Sequence, residues 1–236
     1  IQNSPSNGIL ESDEGRNTSL YFDGIDDNVT IDTDEPITEK TLSAWVRLST
    51  LEQGGGGLIS LQTSGGEIFD AIVYNETNQG WGFGSNGFSR TEWSNINETS
   101  TDWIYMTATY DHYNYKLYRN GELILNTTSF SVQPFSSNAQ ILVGERHTGG
   151  GNNWLNANIK DVELWNRSLN QEEIQSNMEL PNSDEDGLVG LWLFDEGEGD
   201  IVHDYTSNQY HGMINGAIWN IEEGSNESPN FTYTPY

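Results

Sequence analysis

The sequence predicts an all-β protein, a two-sheet antiparallel jelly-roll sandwich with one short helix. Three observations predict it. Apolar residues recur with period two in short runs, Gly, Asn and Asp clusters cut those runs at close intervals, and helical periodicity appears only once. The chain has 236 residues, the size of a single domain. Its 8 Trp, 11 Tyr and 8 Phe supply an aromatic core, whose burial is favourable by about 25 cal/mol per Å² of apolar surface.

Taken in order, the predicted strands are Ser19–Phe22, Val29–Asp32, Thr41–Leu48, Leu58–Gln62, Phe69–Tyr74, Gly80–Phe83, Trp103–Tyr110, Tyr115–Arg119, Glu122–Leu125, Gln140–Gly144, Ile159–Trp165 and Leu188–Phe194. Asn120-Gly121, between two of these runs, provides both positive-φ residues of a type I′ hairpin turn. The helix is expected over Gln171–Met178, with Asn170 as its cap and Glu173 completing a capping box. Gly54–Gly57 and Thr148–Gly151 read as mobile loops. The expected organisation is an N-terminal extension over 1–18, a sandwich over 19–220 and a tail or linker over 221–236.

Charge excludes several partners. The chain has 9 Lys+Arg against 36 Asp+Glu, a net charge of −27. Nucleic-acid binding needs basic patches that neutralise phosphates, and the same repulsion opposes anionic membrane surfaces. No run reaches the 18 or more apolar residues of a spanning helix. The start, Ile1-Gln2-Asn3-Ser4-Pro5, has neither the basic nor the apolar region of a signal peptide, so a processed form is expected. The absence of Cys removes disulfides and thiolate chemistry. Sequons at Asn17, Asn28, Asn75, Asn97, Asn126, Asn166, Asn226 and Asn230 are candidate glycosylation sites. With the acidic excess, they suit an extracellular or cell-surface protein in a saline or calcium-rich medium, where cations screen self-repulsion.

Five ordered motifs carry a family resemblance. They are Ser19-Leu-Tyr-Phe-Asp23-Gly24-Ile25-Asp26-Asp27-Asn28-Val29, Leu42-Ser-Ala-Trp45-Val-Arg47, Trp103 to Asp111 with Leu117 to Leu123, Ile141 to Gly144, and Ile159 to Leu169 followed by Glu172-Glu173-Ile174. Together they resemble the laminin G-like, concanavalin A-like lectin/glucanase sandwich family, in particular its calcium-associated, pentraxin-related branch. Gly187 to Gly212 resembles a segment that precedes the opening strand in many members. Its place here, at 184–220, implies that it completes its own sandwich, begins a second, truncated repeat or pairs with a neighbouring copy.

The resemblance implies a structural calcium shared by Asp23, the Gly24 carbonyl and Asp161. Asp195, Glu196 and Asp204 form a second candidate oxygen set. For Asp26-Asp27 the alternative reading is turn chemistry, since Asp bonds its own backbone. Related hydrolases carry Glu-x-Asp-x-Glu on one strand so that the carboxylates share a face. Here Asp161 and Glu163 fit the last two positions, but Ile159 holds the first and cannot transfer a proton. No other nucleophile or metalloprotease motif is present, so catalytic residues are expected to be none.

Sugar binding needs exposed rings beside amides or carboxylates. Trp154 with Asn152 and Asn153 is one candidate. Trp81 and Trp93 with Arg90, in a stretch that also holds Phe83, Asn86 and Phe88, is the other. The expected function is a non-catalytic extracellular module that recognises a glycan or glycoprotein and is stabilised by calcium. A structural or adhesive subunit assembling with copies of itself through its terminal strand is the alternative, and a polysaccharide-active enzyme comes third.

Overall fold

The structure, a computed structural model, describes residues 17–148, 154–179 and 181–222. The remainder of the expected N-terminal extension, the C-terminal tail beyond 222, and Asn152, Asn153, Asn226 and Asn230 lie outside the described residues.

The elements in chain order are β1 Thr18–Asp23, β2 Asn28–Thr33, β3 Lys40–Leu48, β4 Gly56–Thr63, β5 Phe69–Asn75, β6 Gly80–Ser85, β7 Glu92–Asn97, β8 Ile104–Asp111, β9 Asn114–Arg119, β10 Glu122–Thr127, β11 Ala139–Val143, β12 Asn156–Trp165, α1 Gln171–Glu179, β13 Leu188–Trp192, β14 Ile201–Val202, β15 Gly212–Asn215 and β16 Ile218–Ile221. They form two eight-stranded sheets. The first runs β10-β9-β8-β3-β12-β1-β16 with β13 also on β12, and the second runs β14-β15-β2-β11-β4-β5-β6-β7. The predicted sandwich is therefore correct.

All twelve predicted strands are present, and four were not predicted. β7, Glu-Trp-Ser-Asn-Ile-Asn, is a mostly polar edge strand, while β14, β15 and β16 have two to four residues each. Such short edge segments carry little period-two signal. β13 pairs with β12, β15 with β2 and β16 with β1, so the C-terminal segment contributes strands to both sheets of its own chain.

Local chemistry matches the sequence closely at two points. Asn120 and Gly121 both have positive φ, 49° and 73°, at the β9–β10 turn. At α1 the capping box is reciprocal: Glu173 N–H donates to Asn170 Oδ1 at 3.1 Å and Asn170 N–H donates to Glu173 Oε2 at 2.7 Å.

Inward-facing residues of both sheets, among them Leu20, Phe22, Val46, Met106, Ile141 and Trp192, form the main core. A second cluster of Tyr105, Tyr118, Trp165, Leu169, Ile174 and Leu191 lies on the outer face of the first sheet, where α1 contributes Ile174. β12 serves both because of a bulge. Its residues up to Ile159 pair with β1 and those from Val162 pair with β13, with the register against β3 shifting between Lys160 and Glu163. Asp161 sits in that bulge with φ of 50°, a left-handed conformation that Asp tolerates better than most residues.

The bulge also breaks the strict alternation expected over Ile159, Asp161 and Glu163. Ile159, Val162 and Leu164 face the main core, whereas Glu163 turns outward. There it is fully buried, accepting hydrogen bonds from Trp165 Nε1 at 2.8 Å, Tyr105 Oη at 3.3 Å and Ser43 Oγ at 3.4 Å. Burial pushes its carboxyl up to about 7, with the neighbouring Asp161 charge adding to the rise and the three hydrogen bonds opposing it.

Candidate functional site

On β5, Asp70, Ile72 and Tyr74 point into the sandwich, while Phe69, Ala71 and Val73 face outward and form a small apolar cluster with Trp93 of β7. The strand pairing sets Ala71 opposite Gly84 and Val73 opposite Gly82 on β6. Glycine at 82 is required: a Cβ there would stand 2.3 Å from Glu92 O and 2.6 Å from Trp93 Cε3. The outer face over β5 and β6 is thus a low floor with Trp93 rising beside it.

Over β4 lies the opposite wall, residues 146–148. Glycine at 57 permits the crossing, since a Cβ would meet Arg146 Cα at 2.4 Å. Ser60 Oγ donates to Arg146 O, Thr148 N–H donates to Gln62 Oε1 at 3.0 Å, and Gln62 Nε2 donates to Thr148 Oγ1 at 3.2 Å. Gln62 also donates to Gln140 Oε1 at 2.9 Å, and Gln140 in turn donates to Asp32 Oδ1 at 2.9 Å, so an amide ladder runs across β4, β11 and β2. His147 stacks on Phe69, with ring centroids 4.4 Å apart and planes 15° from parallel.

The third wall is the β6–β7 loop. Arg90 Nε donates to Asp70 Oδ1 at 2.9 Å, and Arg90 Nη2 donates to Phe69 O and Asn86 Oδ1, both at 3.1 Å. Arg90 N–H donates to Ser85 Oγ at 2.7 Å. This clamp holds the loop on a buried carboxylate and displays Phe88, which is 77% exposed. Phe88 has φ of 56°, an uncommon conformation for a bulky side chain. Together these walls enclose a cavity of about 520 Å³, within the range of small-ligand sites. Phe88 and Trp93 offer ring faces, and Ser85, Asn86, Thr91, Glu67, Arg146, His147 and Thr148 offer polar groups.

The structure separates the predicted residues. Trp93 lines this pocket. Arg90 acts behind it, as the clamp on Asp70. Trp81 is a correction: it is 1% exposed in the main core, edge-on to Tyr74 at 5.1 Å, so it has no face to offer a ligand. Its phase explains this, because Trp81 and Phe83 alternate with outward-facing Gly82 and Gly84. Trp154 is half-buried elsewhere, lining a second cavity of about 250 Å³ with Asp23, Gly24, Gln53 and Asn156. Phe69 and His147 were missed, since neither carries a local signal: their union depends on the chain crossing β4.

The carboxylates also divide. Asp23 pairs with Asn156 at one end of β12, whereas Asp161 lies five residues along it, about 16 Å away at strand spacing. Asp23, Gly24 and Asp161 therefore do not fit a single shared ion. Asp23, Asp26 and Asp27 do bring carboxylate oxygens within 4.8 Å of one another. Asp23 Oδ1 accepts from Ile25 N–H and Asp27 Oδ2 from Asp23 N–H, both at 2.8 Å, so turn chemistry operates at this cluster. Burial raises the pKa of Asp27, its hydrogen bond from Asp23 N–H opposes this, and the Asp23 and Asp26 charges reinforce it.

In the other set, Asp204 is buried and accepts from the N–H groups of Leu191, Thr206 and Tyr210. Asp195 accepts from Tyr205 Oη, and Glu196 accepts from His203 N–H. Each of these three carboxylates has its own structural partners.

Residues 22–175 match the sequence profile of the concanavalin A-like lectin/glucanases superfamily. No curated protein matches the chain. Among solved structures, a Bacteroides ovatus protein described as a candidate carbohydrate-binding protein aligns with a TM-score of 0.70 and 14% identity over 88% of this chain, which spans 60% of that protein. A heptameric SAP-like pentraxin from Limulus polyphemus aligns at 0.63 and 12% identity, over 87% of this chain and 95% of its own. Domain 4 of an extracellular GH43 arabinanase from Geobacillus stearothermophilus, solved with arabinotriose, aligns at 0.56 and 13% identity over 74% and 82%.

Proposed function

The chain belongs to the concanavalin A-like lectin/glucanases superfamily, and from that premise we propose that it is a non-catalytic carbohydrate-binding module whose glycan seats in the pocket between Trp93, Phe88 and the 146–148 wall. One observation carries the reading. An aromatic side chain, Phe88, is held 77% exposed at positive φ on the rim of a cavity of about 520 Å³. A surface ring held against both its solvation and its backbone preference points to a function. Stacking on the C–H face of a sugar is what such a ring does best, with Asn, Ser and Thr groups lining the same cavity as the kinds of partner that sugar hydroxyls take.

The same positions argue against hydrolysis. Ile159, at the first position of the expected carboxylate pattern, faces the main core, and Glu163 is fully buried in the outer cluster with its oxygens accepting hydrogen bonds from Trp165, Tyr105 and Ser43. Calcium belongs to this proposal as a stabilising ion at the Asp23-Asp26-Asp27 turn, where three carboxylates supply hard oxygen donors. An extracellular setting belongs to it too: Asn17, Asn97, Asn126 and Asn166 are exposed sequons, and Asn28 and Asn75 are half-buried ones.

A glycan array followed by calorimetry tests the reading. Trp93→Ala and Phe88→Ala are expected to weaken any array hit at least tenfold. Unchanged affinity in both would remove the pocket from the proposal.

A second reading, assembly between copies, is favoured by Ile201, Met213, Ile218 and Ile221 of β14, β15 and β16, each 49–63% exposed at the sheet edges. Sedimentation over a hundredfold concentration range tests it, and a constant monomer mass rejects it.

A further inference from the structure

We propose that the pocket receives the end of a glycan chain and not an internal stretch of one. This deepens the carbohydrate-binding reading and rests on it. β4 and β5 are joined by residues 64–68, and β6 and β7 by residues 86–91. Because β4, β5, β6 and β7 are consecutive antiparallel neighbours, both connections lie at the same end of the sheet. Both also line the cavity, through Gly65, Gly66 and Glu67 on one side and Asn86, Gly87 and Phe88 on the other.

The side walls close against this end. Gly66 packs so tightly on Thr148 that a Cβ at 66 would stand 2.3 Å from Thr148 Oγ1 and 2.6 Å from its carbonyl oxygen. That joins the end wall to the 146–148 wall without a gap a sugar ring could pass. On the other flank, Arg90 ties the Phe88 loop to Asp70 and Phe69, and Trp93 stands against Gly82. The β5–β6 connection at the opposite end, residues 76–79, contributes nothing to the lining. At the other end of the floor Trp93 lies over Gly82 and packs against Val73, which is only 2% exposed, so the site is a blind trough that opens away from the sheet.

An open cleft lets a polymer run through and gains affinity with each added unit until the cleft is full. A blind trough takes one terminus. Units beyond those inside it project away from the sheet, outside the aromatic pair, and add little. The amide ladder of Gln62, Gln140 and Asp32 lies behind the 146–148 wall, so it does not extend the trough sideways across the sheet.

Titration calorimetry on the full chain tests this, using arabino-, xylo-, manno- and gluco-oligosaccharides of one to six units together with β-cyclodextrin, which has no ends. In any series that binds, affinity is expected to level off by the second or third unit and to change less than threefold from there to the sixth. Conversion of the reducing end to an alditol, and separately methylation of the non-reducing end, should cost one of the two modified probes at least tenfold. Cyclodextrin should not bind. Affinity that climbs tenfold or more between two and six units, indifference to both end modifications, or binding of cyclodextrin would each overturn chain-end recognition while leaving the carbohydrate-binding reading intact. A folded protein that binds none of these series, and none of the glycans on the array, overturns both.

Discussion

Lys40 Nζ lies 3.0 Å from Asp70 Oδ2 across the interior of the sandwich, with neither side chain more than 1% exposed. The lysine comes from β3 in one sheet and the aspartate from β5 in the other. Asp70 Oδ1 meanwhile accepts from Arg90, which is how a buried carboxylate comes to hold the loop at the rim of the pocket. Lys40 adds hydrogen bonds to the carbonyls of Gln133 and Thr38 and sits over the rings of Tyr110 and Phe135. Burial pushes its ammonium pKa down, and the Asp70 charge opposes that shift.

Removing the acid therefore strands two cations. Asp70→Asn is expected to cost about 3–5 kcal/mol in urea unfolding, the usual result of breaking a buried ion pair from one side. Lys40→Met should cost less, because Asp70 keeps Arg90. A loss within about 1 kcal/mol for Asp70→Asn would show that the triad is not a structural anchor.

Phe88 separates stability from binding. Its left-handed backbone costs about 1–2 kcal/mol for an L side chain, and glycine is free of that cost. Phe88→Gly should therefore hold or raise the melting temperature by a few degrees while weakening glycan binding at least tenfold. A destabilised variant with intact binding would mean that the ring packs against the fold and does not serve the pocket.

How far the sequence could be read follows from the range of each interaction. Asn120-Gly121 and the Asn170–Glu173 box are contained within a few residues, and both were legible in detail. The long strands were legible from alternation, since each buries a full face. Asp161 was not, because a bulge depends on which strands flank it: β1 pairs up to Ile159 and β13 from Val162, and nothing in Lys160-Asp161-Val162 states that exchange. The pocket was half legible. The stretch from Trp81 to Trp93 stood out as aromatic among small polar residues, but assigning Trp81 to the core and Trp93 to the wall required knowing which face of β6 meets β8 and β9. His147 on Phe69 joins residues 78 positions apart in the chain, which no local pattern announces.

Glu163 sets a pH dependence. Its carboxyl stands at about 7 in the folded chain against an ordinary 4.5, so the fold binds a proton that the unfolded chain releases across that window. Stability from this group is complete below pH 4.5 and is lost as pH rises through 7, by on the order of 3 kcal/mol in all. Glu163→Gln keeps an oxygen for Trp165 Nε1 and cannot ionise. The melting temperatures of the two proteins should accordingly lie close together near pH 5, with the variant gaining on the parent as pH is raised to 8. Parallel curves over that range would place the carboxyl at an ordinary pKa.

The turn from Asp23 to Asp27 supplies the metal prediction. Three carboxylates within 4.8 Å of one another repel at neutral pH, and Asp27 is buried besides, so an ion that neutralises them stabilises the folded chain selectively. Calcium at a hundred times its dissociation constant adds about 2.7 kcal/mol, which for a chain of this size is a rise of roughly 5–10 °C. Chelation should reverse it. Asp26→Asn, exposed and without a structural hydrogen bond among those that hold the turn, should abolish the calcium response and slightly raise the melting temperature of the metal-free protein by relieving the repulsion. Asp161→Asn should leave the response intact, since the bulge holds Asp161 far along β12 from this turn. A calcium shift that survives Asp26→Asn but disappears in Asp161→Asn would move the ion to the bulge, and an unchanged midpoint with and without chelator would remove calcium from the fold altogether.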